Sequence, residues 1–201
     1  APTPIADPLF KHLDSTSFDH SFNYRSILGM MQYVGGNTHP KCAYAINACA
    51  SYCLAPRMAH ALTLKRIGRY LKGCMNDGLI IEKSTDMEHD CYVDADFAGN
   101  WNKAEADDPL SVLSRTGFVL LFGKVPILWK ASRQLTISQS TMESEYIALS
   151  TAMRSLIHLW ALLSEVTSSS ESIWAQIFPQ SALSLRTTTL VVCWLLQILR
   201  D

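Results

Sequence analysis

Tyr92-Val93-Asp94-Ala95-Asp96 is the stretch of sequence from which the fold and the candidate chemistry are best inferred. Apolar and polar residues alternate along it, which predicts a β-strand. Side chains two residues apart point to the same face of a strand, so Asp94 and Asp96 share a face if the strand extends that far. Two carboxylates on one rigid face could bind a divalent cation. Alternatively, the two acids are turn residues that end the strand.

The residues that follow predict a hairpin and a long helix. Two β-rich runs, 116–122 and 125–130, flank Gly123-Lys124, which is a turn signal. Apolar residues spaced by three and four then predict a helix over 141–165. We therefore expect three antiparallel strands over 89–131, with the helix packed on them. This is a mixed α/β architecture.

The start of this helix supplies a second source of carboxylates. Ser140 is placed to cap the helix, and Glu143 stands where a capping box has its acid. Glu145 is two residues further on. Phosphodiester cleavage with two metal ions requires several carboxylates around the ions, and Asp94 with Glu143 could provide two. The alternative is that both glutamates only complement the helix dipole.

The first 80 residues have a different character. Residues 1–23 are rich in polar residues and proline and predict a linker, and helical periodicity begins at Tyr24. A break is expected at 35–40, a second helix at 41–54, then a third helix and a short strand at 78–81. The third helix carries a basic face, which indicates either a solvated surface or contacts with a phosphate backbone. This face consists of Lys65, Arg66, Arg69 and Lys72.

Composition limits the remaining possibilities. The net charge is −1, so no overall basic field indicates a free-standing nucleic-acid binder. The six cysteines form no close pair, which is typical of reduced thiols in an intracellular protein. Cys42, Cys49 and Cys53 share a helix face and could bind zinc with His39 or His60, but a core stripe is the favoured interpretation, because zinc sites usually contain close cysteine pairs. No signal peptide is evident, and the apolar run at the end is too short to span a bilayer, so we expect no membrane partner.

Five motifs in order resemble the polyproteins of copia-type retrotransposons. They are YRSILG at 24–29, KRIGRYLKG at 65–73, YVDADFAG at 92–99, SRTGFV at 114–119 and STMESEYIAL at 140–149. The resemblance covers residues 24 to about 166. It implies that 24–80 is the helical end of a reverse transcriptase with its connection, and that 81–166 is an incomplete ribonuclease H-like domain.

The same resemblance implies a function and a site. Asp94 matches the first catalytic aspartate of the family and Glu143 its catalytic glutamate, both as ligands of Mg²⁺ or Mn²⁺. Asp96 and Glu145 match motif positions whose role is less clear. The implied partners are an RNA–DNA hybrid, whose RNA strand the family cleaves, and the reverse transcriptase domain. The implied fold is a ribonuclease H-like mixed sheet that starts with three antiparallel strands, followed by a helix.

The tail departs from the family pattern. A third catalytic aspartate is expected in a segment of the form DNxxxxxxLAxNP, and a further acid after it, but residues 167–201 contain neither motif. Shifting the reading frame over 187–199 permits a sequence close to the missing segment, so we interpret the tail as a frameshifted, non-homologous stretch. We expect it not to complete the sheet with a properly placed fourth strand and its aspartate. The chain is then expected to be inactive, and the alternative to an enzyme is a non-catalytic packing module of a reverse transcriptase.

Overall fold

A computed structural model describes residues 3–5, 7–11, 16–80, 89–106, 108–168 and 183–187. Three helices come first, then three strands, a long helix and a last strand. The elements are α1 (Tyr24–Asn37), α2 (Ala43–Ala50), α3 (Met58–Gly73), β1 (His89–Asp96), β2 (Arg115–Phe122), β3 (Val125–Arg133), α4 (Thr141–Ser168) and β4 (Leu183–Thr187). The predicted order of three strands followed by a helix is confirmed.

The strands form one sheet in the order β3-β2-β1-β4. β1 pairs antiparallel with β2, and β2 pairs antiparallel with β3 across the tight turn at Gly123 and Lys124. Both turn residues have positive φ, 54° and 69°, a conformation that the hairpin needs and that glycine adopts without steric cost. The predicted three-stranded antiparallel sheet is therefore confirmed.

The fourth strand was not expected. β4 pairs parallel with β1, and its last residue, Thr187, lies opposite Val93. A strand of the tail therefore joins β1, but the aspartate that the prediction excludes is absent from 183–187. The sequence of β4, LSLRT, alternates apolar and polar residues, a period that favours a strand and that the apolar run after it obscured. β4 contains no acidic residue, and the predicted frameshift itself lies mostly outside the described residues.

One face of the sheet packs against α4. Cys91, Val93 and Ala95 of β1 point to this face, as alternation requires, and α4 covers them with one stripe of small and apolar side chains. The stripe includes Ala148, Ala152 and Leu156, all buried. The small alanines let the helix backbone come close to the sheet. This packing fixes the position of the first turn of α4 relative to the end of β1.

The helices α1 to α3 form a second core. Leu28, Ile46 and Leu64 are among its buried residues. Ile5 and Leu9, which lie in the stretch predicted as a linker, are buried in the same cluster. In the described part of residues 1–23, the chain therefore packs onto the helices. Burial of its few apolar side chains lowers the free energy relative to exposing them to water.

Two local predictions differ from the structure. The break expected at 35–40 comes later, since α1 continues through Gly35 and Gly36 to Asn37. A Cβ atom at Gly35 would lie 2.5 Å from Cδ1 of Ile46, so this glycine permits the close approach of α1 and α2. The strand expected at 78–81 is also absent from its described residues, 78–80, which are exposed and form no ladder.

The helical unit and the sheet are joined by polar contacts. The indole Nε1 of Trp129 in β3 donates a hydrogen bond of 2.7 Å to the carbonyl of Gly35. Asn100, in the loop after β1, donates from Nδ2 to the carbonyl of Leu9 at 3.2 Å. These bonds satisfy groups that the interface removes from water. In the described ranges, no helix combines the length and the apolar character that crossing a membrane requires.

Replacing Leu120 with alanine tests how much the core between the sheet and α4 contributes to the free energy of unfolding. Leu120 belongs to β2, is 1% exposed and lies in the core between the sheet and α4. We expect Leu120→Ala to lower the free energy of unfolding by about 2–5 kcal/mol, as for other buried leucines. The matched control is Leu135→Ala, since Leu135 is 97% exposed and its truncation should change stability by no more than about 0.5 kcal/mol. Equal effects in urea unfolding would contradict this packing.

Candidate functional site

The candidate site lies at the end of β1. The strand runs through Asp96, so Asp94 and Asp96 are on the same face, opposite the face that α4 covers. β4 ends beside Val93, one residue before Asp94. Both carboxylates thus come where the described ladder between β1 and β4 stops.

Asp94 is a buried carboxylate without a complete set of partners. It is 7% exposed, and its Oδ1 atom has no hydrogen-bond partner among the described residues. Burial raises the pKa of Asp94 to about 7, and the nearby charge of Glu145 adds to the increase. Such a carboxyl is costly to ionise, and a cation nearby would reduce that cost.

Glu145 is the glutamate that the structure brings to Asp94. It is half-buried near the start of α4, and burial raises its pKa. The backbone amide of Ala95 stabilises the charged form of Glu145 and also that of Asp94, which lowers both pKa values in part. The backbone N–H of Ala95 thus lowers the pKa of both carboxylates, so both lie near the end of β1.

Glu143 is used differently. It is exposed, and its Oε2 atom accepts a hydrogen bond of 2.7 Å from the backbone N–H of Gln139. Its own N–H donates to Oγ of Ser140 at 3.1 Å. This reciprocal arrangement caps α4 much as the sequence predicts. The assignment of Glu143 as a metal ligand remains a prediction, and the contacts favour Glu145.

Asp96 is engaged by Arg115, its register partner on β2. Burial raises the pKa of Asp96, and the guanidinium opposes the increase. Arg115 is itself buried, donates from Nη1 to Oδ1 of Asn47 and lies over the ring of Tyr44 at 5.3 Å from the ring centre. A Cβ at Gly99 would collide with the Asp96 carboxylate, so this side chain is enclosed. Asp96 therefore lies in an enclosed environment in which the charge of Arg115 opposes the effect of burial on its pKa.

The donor atoms at this site suit a hard divalent cation. Mg²⁺ and Mn²⁺ prefer carboxylate oxygens, and the unpartnered Oδ1 of Asp94 is such an atom. In the described part of the chain, no group of three histidine, cysteine or acidic side chains converges enough to hold an ion. The described residues thus place two carboxylates, Asp94 and Glu145, near the end of β1, and two-metal chemistry needs more than two.

The alternative zinc site is not assembled. His60 uses both ring nitrogens, since Nε2 bonds to the carbonyl of Phe10 at 2.8 Å and Nδ1 accepts from the N–H of Arg57 at 3.0 Å. Cys42 and Cys49 are completely buried, and burial raises the pKa of each thiol to about 12. The cysteines of the first helices are thus core residues.

The basic face of α3 is partly used within the chain. Arg66 donates to the carbonyl and the hydroxyl of Thr3 at 3.0 and 2.9 Å, and Lys65 lies over the ring of Phe22 at 5.1 Å. Arg69 and Lys72 are exposed. The contacts of two of the four cations are those of a packed helix surface, so we assign this face no ligand.

One residue that the sequence analysis gave no role stands out in the structure. Gln134, directly after β3, is 5% exposed and makes side-chain hydrogen bonds to β2, to the loop before α4 and to α4 itself. A lone glutamine between a strand and a helix is a weak sequence signal. Only the packing reveals that its amide is buried.

Comparisons with known proteins give the family relation. No family model matches the chain, and no solved structure matches it significantly. The Retrovirus-related Pol polyprotein from transposon RE1 of Arabidopsis thaliana is 31% identical over 165 residues, which are 82% of this chain and 11% of that protein. The corresponding polyprotein from transposon TNT 1-94 of Nicotiana tabacum is 28% identical over 193 residues, 90% of this chain and 14% of the relative.

A third relative is much shorter. It is an uncharacterized mitochondrial protein of Arabidopsis thaliana, 33% identical over 147 residues, which are 73% of this chain and 58% of the relative. The chain spans little more than a tenth of the length of the transposon polyproteins that it matches. Over most of its length, the chain is a distant homologue of copia-type retrotransposon Pol polyproteins.

Proposed function

We propose that residues 89–187 are a ribonuclease H-like part of a Pol polyprotein, and that Asp94 and Glu145 hold a divalent cation. The observation that carries this proposal is the buried Oδ1 atom of Asp94, which has no hydrogen-bond partner among the described residues, at a strand end where the charge of Glu145 raises the pKa of Asp94. Two acids from separate elements are brought together at a strand end, although their mutual repulsion raises the pKa of Asp94. A cation would relieve both the repulsion and the desolvation.

The topology supports the same proposal. Three antiparallel strands lead into a helix on one sheet face, and β4 then joins β1 in parallel on the side away from β2. The family resemblance implies the three strands and the helix, and it implies a further strand beside β1 that bears an acid. Here β4 has the expected neighbour but no acid.

The chemistry assigned to the site is hydrolysis of a phosphodiester. A bound divalent cation supplies a Lewis acid that activates water and stabilises the leaving oxygen. Within the chain, Asp94 and Glu145 would bind the cation, and the Ala95 amide stabilises their charged forms. A substrate such as an RNA–DNA hybrid would be recognised by its shape and its 2′-hydroxyl groups. Two carboxylates bind a cation weakly, because Mg²⁺ needs near-octahedral geometry.

Cation binding distinguishes Glu145 from Glu143. Titration of the ¹⁵N-labelled chain with Mn²⁺ should broaden the amide signals of Asp94, Ala95 and Glu145 first. The broadening should disappear in Asp94→Asn and in Glu145→Gln, because each removes one of the two ligands. Glu143→Gln is the matched control and should bind as the wild type does. Loss of binding in Glu143→Gln with binding retained in Glu145→Gln would restore the assignment made from sequence.

Hybrid cleavage tests whether the 201 residues suffice for catalysis. We expect no cleavage of an RNA–DNA hybrid above the level of Asp94→Asn, with either Mg²⁺ or Mn²⁺. The reason is that too few carboxylates are present to fix two ions, and small misplacements of reacting groups cost orders of magnitude in rate. The assay compares initial rates for the wild type and the variant on a labelled hybrid. Metal-dependent cleavage that the variant lacks would show that the chain is a complete nuclease.

Asp94 should also make stability depend on pH. Its pKa rises from 3.8 to about 7 in the folded chain, so between these values the folded state keeps a proton that the unfolded state has lost. Stability therefore falls as pH rises through this range. We therefore expect the free energy of unfolding of Asp94→Asn, relative to that of the wild type, to increase from pH 4 to pH 8. The measurement is urea unfolding without divalent cations. A constant difference across this range would contradict the buried carboxyl.

Asp108 provides a control of opposite sign. Its carboxylate pairs with Nζ of Lys11 at 2.7 Å, and this contact lowers the pKa of Asp108. Its contribution to stability is therefore present at neutral pH and fades as pH falls below its ordinary value. Asp108→Asn should lose a little stability at pH 7 and nothing at low pH. The two variants together separate the effect of burial from that of ion pairing.

A further inference from the structure

We propose that Gln134 is a positioning residue that holds Glu145 beside Asp94. The inference rests on the proposed function for its chemical meaning, and on the hydrogen bonds of the Gln134 amide for its evidence. Gln134 does not touch either carboxylate in any described contact. It acts on the two backbone elements that carry them.

The side-chain amide of Gln134 joins β2 to α4. Its Nε2 atom donates to Oγ1 of Thr116 at 3.1 Å and to the backbone carbonyl of Ser144 at 2.9 Å. Its Oε1 atom accepts from Oγ of Ser138 at 2.9 Å. All four residues are at least 95% buried. The two donor hydrogens and the acceptor oxygen of the amide are thus all used.

The two residues that Nε2 joins are the immediate neighbours of the site. Thr116 is the register partner of Ala95, whose amide stabilises both carboxylates. Ser144 directly precedes Glu145. A single nitrogen atom therefore fixes the distance between the strand pair that presents the Ala95 amide and the helical turn that presents Glu145.

The same residue also reaches the loop that follows Asp96. The backbone N–H of Gln134 donates to the carbonyl of Ser114 at 2.8 Å, and Oγ of Ser114 accepts from the N–H of Ala98 at 3.3 Å. Ser114 is completely buried. Buried polar groups that are all paired form a rigid network, whereas loss of one member leaves its partners unsatisfied. Gln134 is the member that connects this network to α4.

The experiment measures the contact between Ala95 and Glu145 directly, without metal. In the full chain labelled with ¹⁵N, Glu145→Gln defines how the Ala95 amide shift changes when the carboxylate is lost. Gln134→Met removes the amide while keeping similar volume. Gln134→Glu keeps the acceptor for Ser138 but lacks the Nε2 donor at neutral pH. We expect both Gln134 variants to move the Ala95 signal in the direction that Glu145→Gln does.

Two controls separate positioning from general loss of stability. Gln139→Met makes the same chemical change at an exposed position near the helix start and should leave the Ala95 signal unchanged. Leu156→Ala creates a cavity farther along α4, where Leu156 is 4% exposed in the same core. It should lower the melting temperature without moving the Ala95 signal. If one Gln134 variant fails to fold, the other gives the answer.

Metal affinity gives the second measurement. Mn²⁺ should bind Gln134→Met about 10-fold more weakly than the wild type, as is typical when a group that orients a metal ligand is removed. An unchanged Ala95 signal in both Gln134 variants, with a clear change in Glu145→Gln, would overturn the positioning role. If the wild type shows no Mn²⁺ binding but the Ala95 signal responds as expected, the positioning role holds and the proposed metal function fails.

Discussion

The position of β1 at the middle of the described sheet is the constraint on which the rest of the structure depends. Its two edges pair with β2 and β4, and α4 covers one of its faces. Near the end of β1, the alternation of side chains places Asp94 on the other face, where it is almost completely buried. The pairing with β2 fixes the backbone through Asp94 to Asp96, whereas the described pairing with β4 ends at Val93, one residue before Asp94. Burial of this carboxylate raises the pKa of Asp94.

The phase of α4 decides which glutamate faces this strand. Successive residues of an α-helix are rotated by about 100°, so Glu143 and Glu145 lie about 200° apart and cannot both face β1. Ala148 and Ala152 lie against the sheet, and Glu145 is three residues before Ala148, which is on the same side of the helix. The spacing of Ala148, Ala152 and Leu156 in the sequence is sufficient to predict that Glu145, rather than Glu143, is on the buried side of α4. The motif alone pointed to Glu143, whose carboxylate instead serves the cap.

The sequence predicted the elements whose periodicity is strong and missed those that depend on packing. Alternation and the turn at Gly123 were enough for β1 to β3, and the long stripe was enough for α4. The helical Gly35 could not be foreseen, because its role is to let Ile46 approach from another helix. Gln134 could not be foreseen either, since its partners Thr116 and Ser144 are brought together only by the folded sheet and helix.

Asp94 and Asp96 lie on the same face of β1 but have different electrostatic surroundings. Arg115 is the register partner of Asp96 and is held by α2 through Asn47, and its charge opposes the effect of burial on the pKa of Asp96. Among the contacts that shift the pKa of Asp94 there is no cation; Glu145 and Asp96 both add negative charge. Of the two carboxylates, Asp96 has a cation opposing its pKa increase, whereas the charges that act on Asp94 only add to the increase. The helical unit therefore contributes to the site by engaging Asp96, which leaves Asp94 and Glu145 as the pair that an added cation would stabilise.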